Sequence, residues 1–204
     1  MNYGKFIQPR AFAKAGTYVR DPKNAVEGGD MSGYGGMYQT RGVDLECVWL
    51  SARGVTKDVY IAFDFGSVVR LGYMCVWNMN QTDGFGAGVK NAKIYYGYDG
   101  EEYFEFKGKG YPFVFAPAFG KPGLKATNLN DGKHSPVDFE GLSARYIKIV
   151  PDTESGEGCH GKYIEGQTRY GLSQVRFFQY MSEPEKGGEL YARAKIPGQD
   201  VLTS

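Results

Sequence analysis

Several carboxylates occur in polar, Gly-rich stretches of the sequence, and a suitably spaced pair could cleave a glycosidic bond by acid–base chemistry. The candidates are Asp44, Glu46, Asp83, Asp152, Glu154, Glu157 and Glu165. Their spacing singles out no pair, and acidic residues in loops are usually only solvated. Cys159 and His160 are adjacent, but neighbours in sequence seldom place a thiol and an imidazole in nucleophile–base geometry. Because GxSxG, HExxH and P-loop motifs are also missing, the sequence predicts no catalytic residue.

A second set of side chains in the same stretches suits the binding of a neutral polar ligand. Aromatic faces can stack on the C–H face of a sugar, while amides, imidazole and guanidinium offer donors and acceptors to hydroxyls. The predicted ligand-binding residues are Tyr34, Tyr38, Asn78, Asn80, Gln81, His134, His160, Arg169 and Tyr170, accompanied by Phe85 and Tyr163. Each one alone could equally be structural, since asparagines often shape turns and tyrosines can pack loop on loop. The prediction therefore rests on the set.

A metal site is a separate hypothesis, carried by the segment AVEGGDMSG at residues 25–33. It places Glu27 and Asp30 in a tight turn, where backbone carbonyls could join the two carboxylates around a hard cation such as calcium. The segment has no EF-hand spacing, and a plain turn is the alternative. Glu27 and Asp30 are the predicted ligands of a structural calcium ion; we expect no other cofactor to be required.

Period-2 alternation of apolar side chains predicts the strands that must position these residues. In VYIAFDF, for example, Ile61, Phe63 and Phe65 share one face. The predicted strands are 59–65, 69–77, 92–98, 103–106, 136–139, 145–150 and 172–180. No helix-period stripe of useful length competes with them, so the predicted fold is all-β, an antiparallel β-sandwich. Cys75 and Trp77 lie on the apolar side of their strand and are predicted to be core residues.

The lengths of the connections carry further information, because successive loops of an antiparallel path alternate between the two ends of a sandwich. The connections at 66–68, 99–102 and 140–144 are short and fall at one end. Those at 31–58, 78–91, 107–135 and 151–171 are long, and they must gather at the opposite end. Long loops that converge from different strands commonly form a ligand-binding surface. The predicted binding residues all lie in these loops.

Charge and hydropathy exclude two classes of partner. The formal net charge is +1 and no dense Lys/Arg run occurs, so the electrostatic footprint of a nucleic-acid-binding protein is missing. No apolar run approaches the roughly 18 residues that cross a bilayer, so we expect no membrane insertion. The three cysteines form no Cys-x-x-Cys pair that would favour zinc or redox chemistry.

Successive blocks of the sequence resemble a discoidin-like domain of the factor five/eight type C group. The blocks are AVEGGD, VWLS, VYIAFDFG, VRLGYMCVWNMNQ, GVKNAKIYYGYDG, ARYIKIV and YGLSQVRFF, within residues 25–180. The group includes family 32 carbohydrate-binding modules, and the resemblance implies a galactose-binding-like sandwich of jelly-roll type. WNMNQ, GVK and YGLSQVRFF resemble a bacterial subgroup attached to polysaccharide-degrading or cell-surface proteins. Such relatives bind glycans through loops at one end and do no chemistry.

The resemblance implies three segments: a lead-in at 1–24 that packs on the sandwich, the domain at 25–182 and a linker-like tail at 183–204. It implies a non-catalytic carbohydrate-binding module that targets a parent enzyme to polysaccharide. The chain would then be one piece of a larger, multi-modular protein that is secreted or attached to the cell surface. The alternatives are a protein-adhesion or structural spacer domain, a glycoside hydrolase that uses loop carboxylates, and an intact intracellular protein.

Overall fold

The computed structural model describes residues 5–14, 16–27, 47–80, 85–118 and 137–182, and the backbone alone of two short strands at 31–32 and 40–41. The strands in chain order are β1 (Phe6–Ile7), β2 (Arg10–Phe12), β3 (Tyr18–Arg20), β4 (Met31–Ser32), β5 (Thr40–Arg41), β6 (Trp49–Ser51), β7 (Ile61–Asn78), β8 (Asn91–Gly97), β9 (Phe104–Phe106), β10 (Phe113–Val114), β11 (Val137–Asp138), β12 (Ser143–Pro151) and β13 (Gly171–Gln179). A four-residue helix, α1 (Asn24–Glu27), and a 3-10 turn at Phe85–Ala87 complete the described elements.

The strands form two layers that share β7. In the first layer, β10, β8, β12 and the beginning of β7 lie side by side, with β9 against β8 and β2 against β7. In the second layer, the end of β7 is followed by β13, β6 and β3, with β1 against β13 and β11 against β7. All of these pairings are antiparallel, so the all-β, antiparallel sandwich predicted from the sequence is confirmed.

The path of β7 differs from the prediction. Two strands were expected on either side of a turn at 66–68, whereas the structure has one strand of 18 residues. Its register against β12 jumps from Val69 to Asp64 as β12 advances from Ala144 to Tyr146. Gly66 adopts a φ of 78°, which glycine tolerates, and its N–H donates to the Asp64 carboxylate at 2.8 Å. The expected turn is therefore a bulge that carries β7 from one layer into the other.

Aromatic side chains fill the space between the layers. Phe63, from the first half of β7, meets Phe177 of β13 edge-on with ring centroids 4.9 Å apart. Phe139 stacks on Phe177 and also touches Phe106 of β9. Cys75 and Trp77 are fully buried, as the strand alternation predicted.

The predicted gathering of long loops at one end is confirmed for their described parts. Strands β8 and β12 run between the two ends: Ala92 pairs with Pro151 at one end and Gly97 pairs with Tyr146 at the other. Beyond Pro151, Lys90 N–H donates to the carbonyl of Gly158 at 2.9 Å. The segments 47–60, 85–91, 107–118 and 151–171 meet there, and we call this side the long-loop end. Residues 33–39, 42–46, 81–84 and 119–136 lie outside the described part of the chain.

Residues 6–20 contribute three strands to the two layers, and α1 packs beside β13. The boundaries at 24 and 182 stay predictions, since the tail at 183–204 lies outside the described residues. Within the described residues, no helix is long and apolar enough to cross a membrane.

We expect Asp64→Asn to lower the free energy of unfolding at pH 7 by about 1 kcal/mol, because Asp64 is buried and accepts two hydrogen bonds from the partly exposed Arg145, at 2.9 and 3.2 Å. The hydrogen bond from Arg145 lowers the pKa of Asp64 below its ordinary value. A lowered folded-state pKa contributes stability that is present at neutral pH and is lost as the pH falls through that pKa.

Urea denaturation at pH 7 and at about pH 2.5 checks this prediction. The difference between Asp64→Asn and the unmodified chain should shrink at the lower pH. Glu154→Gln is the control, since the Glu154 carboxylate is 88% exposed and its loss should change little at either pH. An equal loss at both pH values in Asp64→Asn would show that the ionised carboxylate is not what stabilises the bulge.

Candidate ligand-binding site

A cleft of about 290 Å³ opens at the long-loop end, and we call it the loop cleft. Three segments form it: the residues that follow β6, the 3-10 turn at Phe85–Ala87, and the connection between β12 and β13. Its described lining residues are Arg53, Gly86, Ala87, Cys159, Gly161, Lys162, Ile164, Gln167, Thr168 and Arg169.

Pairs of glycines let the three segments approach one another closely. A Cβ atom on Gly54 would lie 2.7 Å from the Cα of Gly166, and one on Gly161 would lie 3.0 Å from the carbonyl oxygen of Gly86. The N–H of Gly161 donates to that same oxygen at 2.7 Å. Backbone contacts of this kind leave no room for a side chain, so the walls of the cleft are fixed by glycine.

Thr168 fixes the shape of the turn that carries several cleft residues. Its hydroxyl accepts a hydrogen bond from the N–H of Ile164 at 2.8 Å and donates to the carbonyl of the same residue at 2.9 Å. Its own carbonyl accepts from the N–H of Gly54 at 3.0 Å. The turn is therefore closed internally and tied to the segment after β6, so that side chains on both are held in fixed relation.

The loop cleft carries three cationic side chains, Arg53, Lys162 and Arg169, and no acidic residue is among its described lining. Arg53 and Lys162 are exposed, whereas Arg169 is half-buried. The Nε atom of Arg169 is buried, and the described residues give it no hydrogen-bond partner. Burial, followed by repulsion from Arg53, lowers the pKa of the Arg169 guanidinium below its ordinary value. The described lining of the cleft is thus positively charged.

Comparison with known proteins gives the family. The sequence model of the F5/8 type C domain matches residues 13–165, which is most of the chain. The chain belongs to the F5/8 type C domain family. The resemblance on which the sequence analysis relied is confirmed.

Solved structures share the fold of this F5/8 type C domain. A fucose-binding module from Streptococcus pneumoniae is 15% identical, with a TM-score of 0.51, over 87% of this chain and 96% of that one. A CBM32 module from a family 31 glycoside hydrolase of Clostridium perfringens is 19% identical, with a TM-score of 0.50, over 87% and 97% of the two chains. At these identities the likeness shows the fold alone. No curated protein gives a significant match.

Arg169 is the predicted ligand-binding residue that the structure of the domain places in the loop cleft. Asn78 is fully buried, and its amide donates to the carbonyls of Val89 and Ala116 at 2.6 and 2.9 Å. Asn80 and Tyr170 are also buried, at 1% exposure each. The Asn78 side chain thus joins two long loops from beneath, and because all three side chains are buried we do not carry them into the proposed site.

His160 also supports the loops. Its Nε2 lies 2.8 Å from the carbonyl oxygen of Phe115 and donates to it, while its backbone N–H donates to Gly88 at 3.0 Å. The histidine therefore joins two of the loops beside the cleft. The remaining predicted contacts, Tyr34, Tyr38, Gln81 and His134, lie outside the described residues.

Arg53, Lys162 and Gln167 line the cleft but were not among the predicted residues. The sequence did contain a signal for them: Arg53 lies in the long connection at 31–58, and Gln167 and Lys162 lie in the same long loop as Arg169. The sequence did not show that these residues share one site, because only the close approach of Gly54 to Gly166 brings together two segments that are more than 100 positions apart.

The described residues offer no cluster for acid–base, thiol or metal chemistry in the cleft. Asp152, Glu154, Glu157 and Glu165 do not line it, and Asp44, Glu46 and Asp83 lie outside the described residues. Cys159 does line it, but burial raises the pKa of its thiol. The described residues contain no group of three or more His, Cys, Asp and Glu side chains that could hold a metal.

The predicted calcium ligands are only partly described. Glu27 is exposed at the last position of α1, and Asp30 lies outside the described residues. The calcium site stays a prediction.

A second cleft, of about 320 Å³, lies near β8 and β12 and is walled by Tyr60, Tyr95 and Tyr103. The ammonium group of Lys148 lies 3.5 Å from the centre of the Tyr103 ring and 4.8 Å from that of Tyr60. Two of the aromatic faces are therefore already covered by a cation. The loop cleft, whose donors have no partner among the described residues, is the better candidate for ligand binding.

We expect Gly54→Ala to lower the free energy of unfolding of the domain by about 2–4 kcal/mol, since it combines a strained φ with a backbone clash. Gly166→Ala is the matched control: Gly166 has nearly the same φ, 69° against 66°, but its added Cβ would meet nothing within 4 Å. It should cost only the strain, about 1 kcal/mol. Thermal or urea denaturation measures both, and equal losses would show that the close approach of the two glycines does not hold the cleft together.

Proposed function

We propose that this F5/8 type C domain is a non-catalytic carbohydrate-binding module that holds glycan in the loop cleft. The observation that carries the proposal is an open cleft on a rigid frame, lined by side chains whose hydrogen-bond donors find no partner among the described residues. Sites of this kind orient a polar ligand through a few fixed groups.

The donors suit a sugar. The Gln167 amide both donates and accepts, and the guanidinium groups of Arg53 and Arg169 donate in a planar fork that can span two oxygens. A sugar ring also presents an apolar C–H face. Tyr163 and Ile164, 38% and 49% exposed, stand on the same turn and offer apolar surface next to the polar groups.

The family and the names of the structural relatives support a binding role. One relative is a fucose-binding module, and another is a module of a glycoside hydrolase. By analogy, we propose that this domain belongs to a larger secreted or cell-surface protein and brings a parent enzyme to polysaccharide. A shallow site on one or two sugars gives modest affinity, so neighbouring modules would add avidity.

The test is affinity electrophoresis of the full chain against plant, host and microbial polysaccharides, with and without a chelator, while released reducing ends are assayed. We expect retention without release of sugar. Sensitivity to the chelator would additionally support the calcium prediction at Glu27 and Asp30. Absence of retention on every glycan would overturn the proposal in favour of a protein-adhesion or spacer domain, and release of sugar would favour the hydrolase alternative.

Location in the cleft is tested by Gln167→Ala, which should weaken retention about three- to tenfold through the loss of one or two hydrogen bonds. Gln179→Ala is the matched control, because Gln179 is an exposed glutamine that pairs with Leu71, far from the long-loop end. Equal retention of the two variants would place the glycan elsewhere on the domain.

A further inference from the structure

We infer that the loop cleft selects an anionic sugar, one that bears a carboxylate or a sulfate ester, and that Arg169 together with Arg53 receives the anionic group. The inference rests on the proposed function, because it names the class of glycan that the same cleft takes. It replaces the neutral ligand that the amide and aromatic residues of the sequence had suggested.

Charge pairing elsewhere in the domain offers a comparison with the cleft. Several basic side chains at other places have acidic partners: Lys14 pairs with Asp58, Lys90 with Glu157, Lys107 with Glu105 and Arg145 with Asp64. Among the described residues, none of the three cleft cations has such a partner. Since the whole chain has a net charge of only +1, this positive charge is a local feature and not the result of a basic composition.

The state of Arg169 gives the strongest reason. A buried N–H without a partner is costly, and most buried polar groups in native proteins avoid that cost. The Nε of Arg169 carries it among the described residues, and the neighbouring guanidinium of Arg53 adds repulsion. A bound anion would compensate the charge of a guanidinium that is half-buried and repelled by Arg53, whereas a neutral hydroxyl would not.

The geometry of the guanidinium group narrows the ligand further. Its N–H groups match two oxygens of a carboxylate or of a sulfate in a bidentate manner, and such charged hydrogen bonds are about twice as strong as neutral ones. The volume of about 290 Å³ is at the lower limit for ligand pockets, which suits one or two sugar units. We therefore expect the cleft to hold one or two sugar units of the glycan, with the acidic group of one unit next to Arg169.

The two acidic residues described near the cleft do not remove its charge. Glu165 stands on the same turn, between Ile164 and Gly166, but its side chain is exposed and does not line the cleft. Glu157 is engaged by Lys90. The positive side chains therefore face the ligand space without an acidic neighbour from the described residues.

The experiment compares acidic glycans with their neutral counterparts. The full chain is titrated, by affinity electrophoresis and calorimetry, with polygalacturonate, alginate and a sulfated galactan, and with the carboxyl-reduced or desulfated form of each. At about 0.15 M salt, we expect an acidic glycan to bind at least about tenfold more tightly than its neutral form. The carboxylated and sulfated arms identify which group is recognised, and the affinity should fall as salt is raised.

Variants assign the effect to the cleft. Arg169→Gln should lower the affinity for the acidic glycan about tenfold or more, and Arg53→Gln about threefold, since Arg53 is more exposed. Arg169→Lys should restore part of the loss, because it keeps the charge and loses the planar fork. Arg10→Gln is the control: its side chain is 81% exposed and lies outside the cleft. Circular dichroism confirms that each variant is folded.

Two results would overturn the inference, and they differ in what they mean for the proposed function. If neutral glycans bind as tightly as acidic ones, and Arg169→Gln weakens both equally, the cleft recognises hydroxyl groups. The proposed carbohydrate-binding function then stands, and the inferred selectivity for anionic sugars is wrong. If no glycan of either kind binds, in these pairs or in the wider panel of polysaccharides, the proposed function and the inference fail together.

Discussion

The passage of β7 through both layers is the constraint on which the rest of the structure depends. A strand of 18 residues can belong to two sheets only if it bends, and the bend requires a residue that accepts a positive φ with little strain. Gly66 supplies that conformation, and Asp64 fixes it by accepting the N–H of Gly66 as well as the guanidinium of Arg145. Because β7 turns back here, its final residue, Asn78, arrives at the long-loop end.

Asn78, at the end of β7, connects the sheet to the loops that form the cleft. Its amide donates to two carbonyls, of Val89 and Ala116, that belong to different long loops. His160 joins two loops in the same way, since its ring donates a hydrogen bond to the carbonyl of Phe115. Buried polar side chains that are fully paired in this way specify one arrangement of loops that would otherwise have many. The rigidity of the cleft is therefore built from the residues beneath it and from the glycines at its walls.

Period-2 patterns predicted β7, as two strands, together with β8, β9, β11, β12 and β13, because burial of one face is a local property of each strand's own residues. The strands β1, β2, β3, β6 and β10, of two or three residues each, are too short to show such a pattern and were not predicted. The bulge at Gly66 was misread as a turn, since a glycine with polar neighbours looks the same in both and only pairing with β12 distinguishes them. Connection lengths predicted the end at which the loops meet. The identity of the cleft residues was less accessible: Arg169 was predicted, whereas Arg53 is brought near it only by the contact between Gly54 and Gly166. The side chains of Asn78 and Tyr170 are of types that suit ligand contacts, but the sequence of a loop does not show how deeply its residues are buried.

Rigidity beneath the cleft keeps Arg169, which has no acidic partner among the described residues, in its half-buried position. In a flexible loop, Arg169 would swing into water and regain full hydration, and its buried Nε would cost nothing. Here the turn is closed by Thr168 and tied to Gly54, so the side chain stays half-buried and the cost is maintained in the free protein. Under the proposal, a ligand that pairs with the guanidinium would bind without having to order the loop first, which is the general advantage of a preorganised site. The same fixed backbone that holds the walls of the cleft together would then also hold its charge in place for binding.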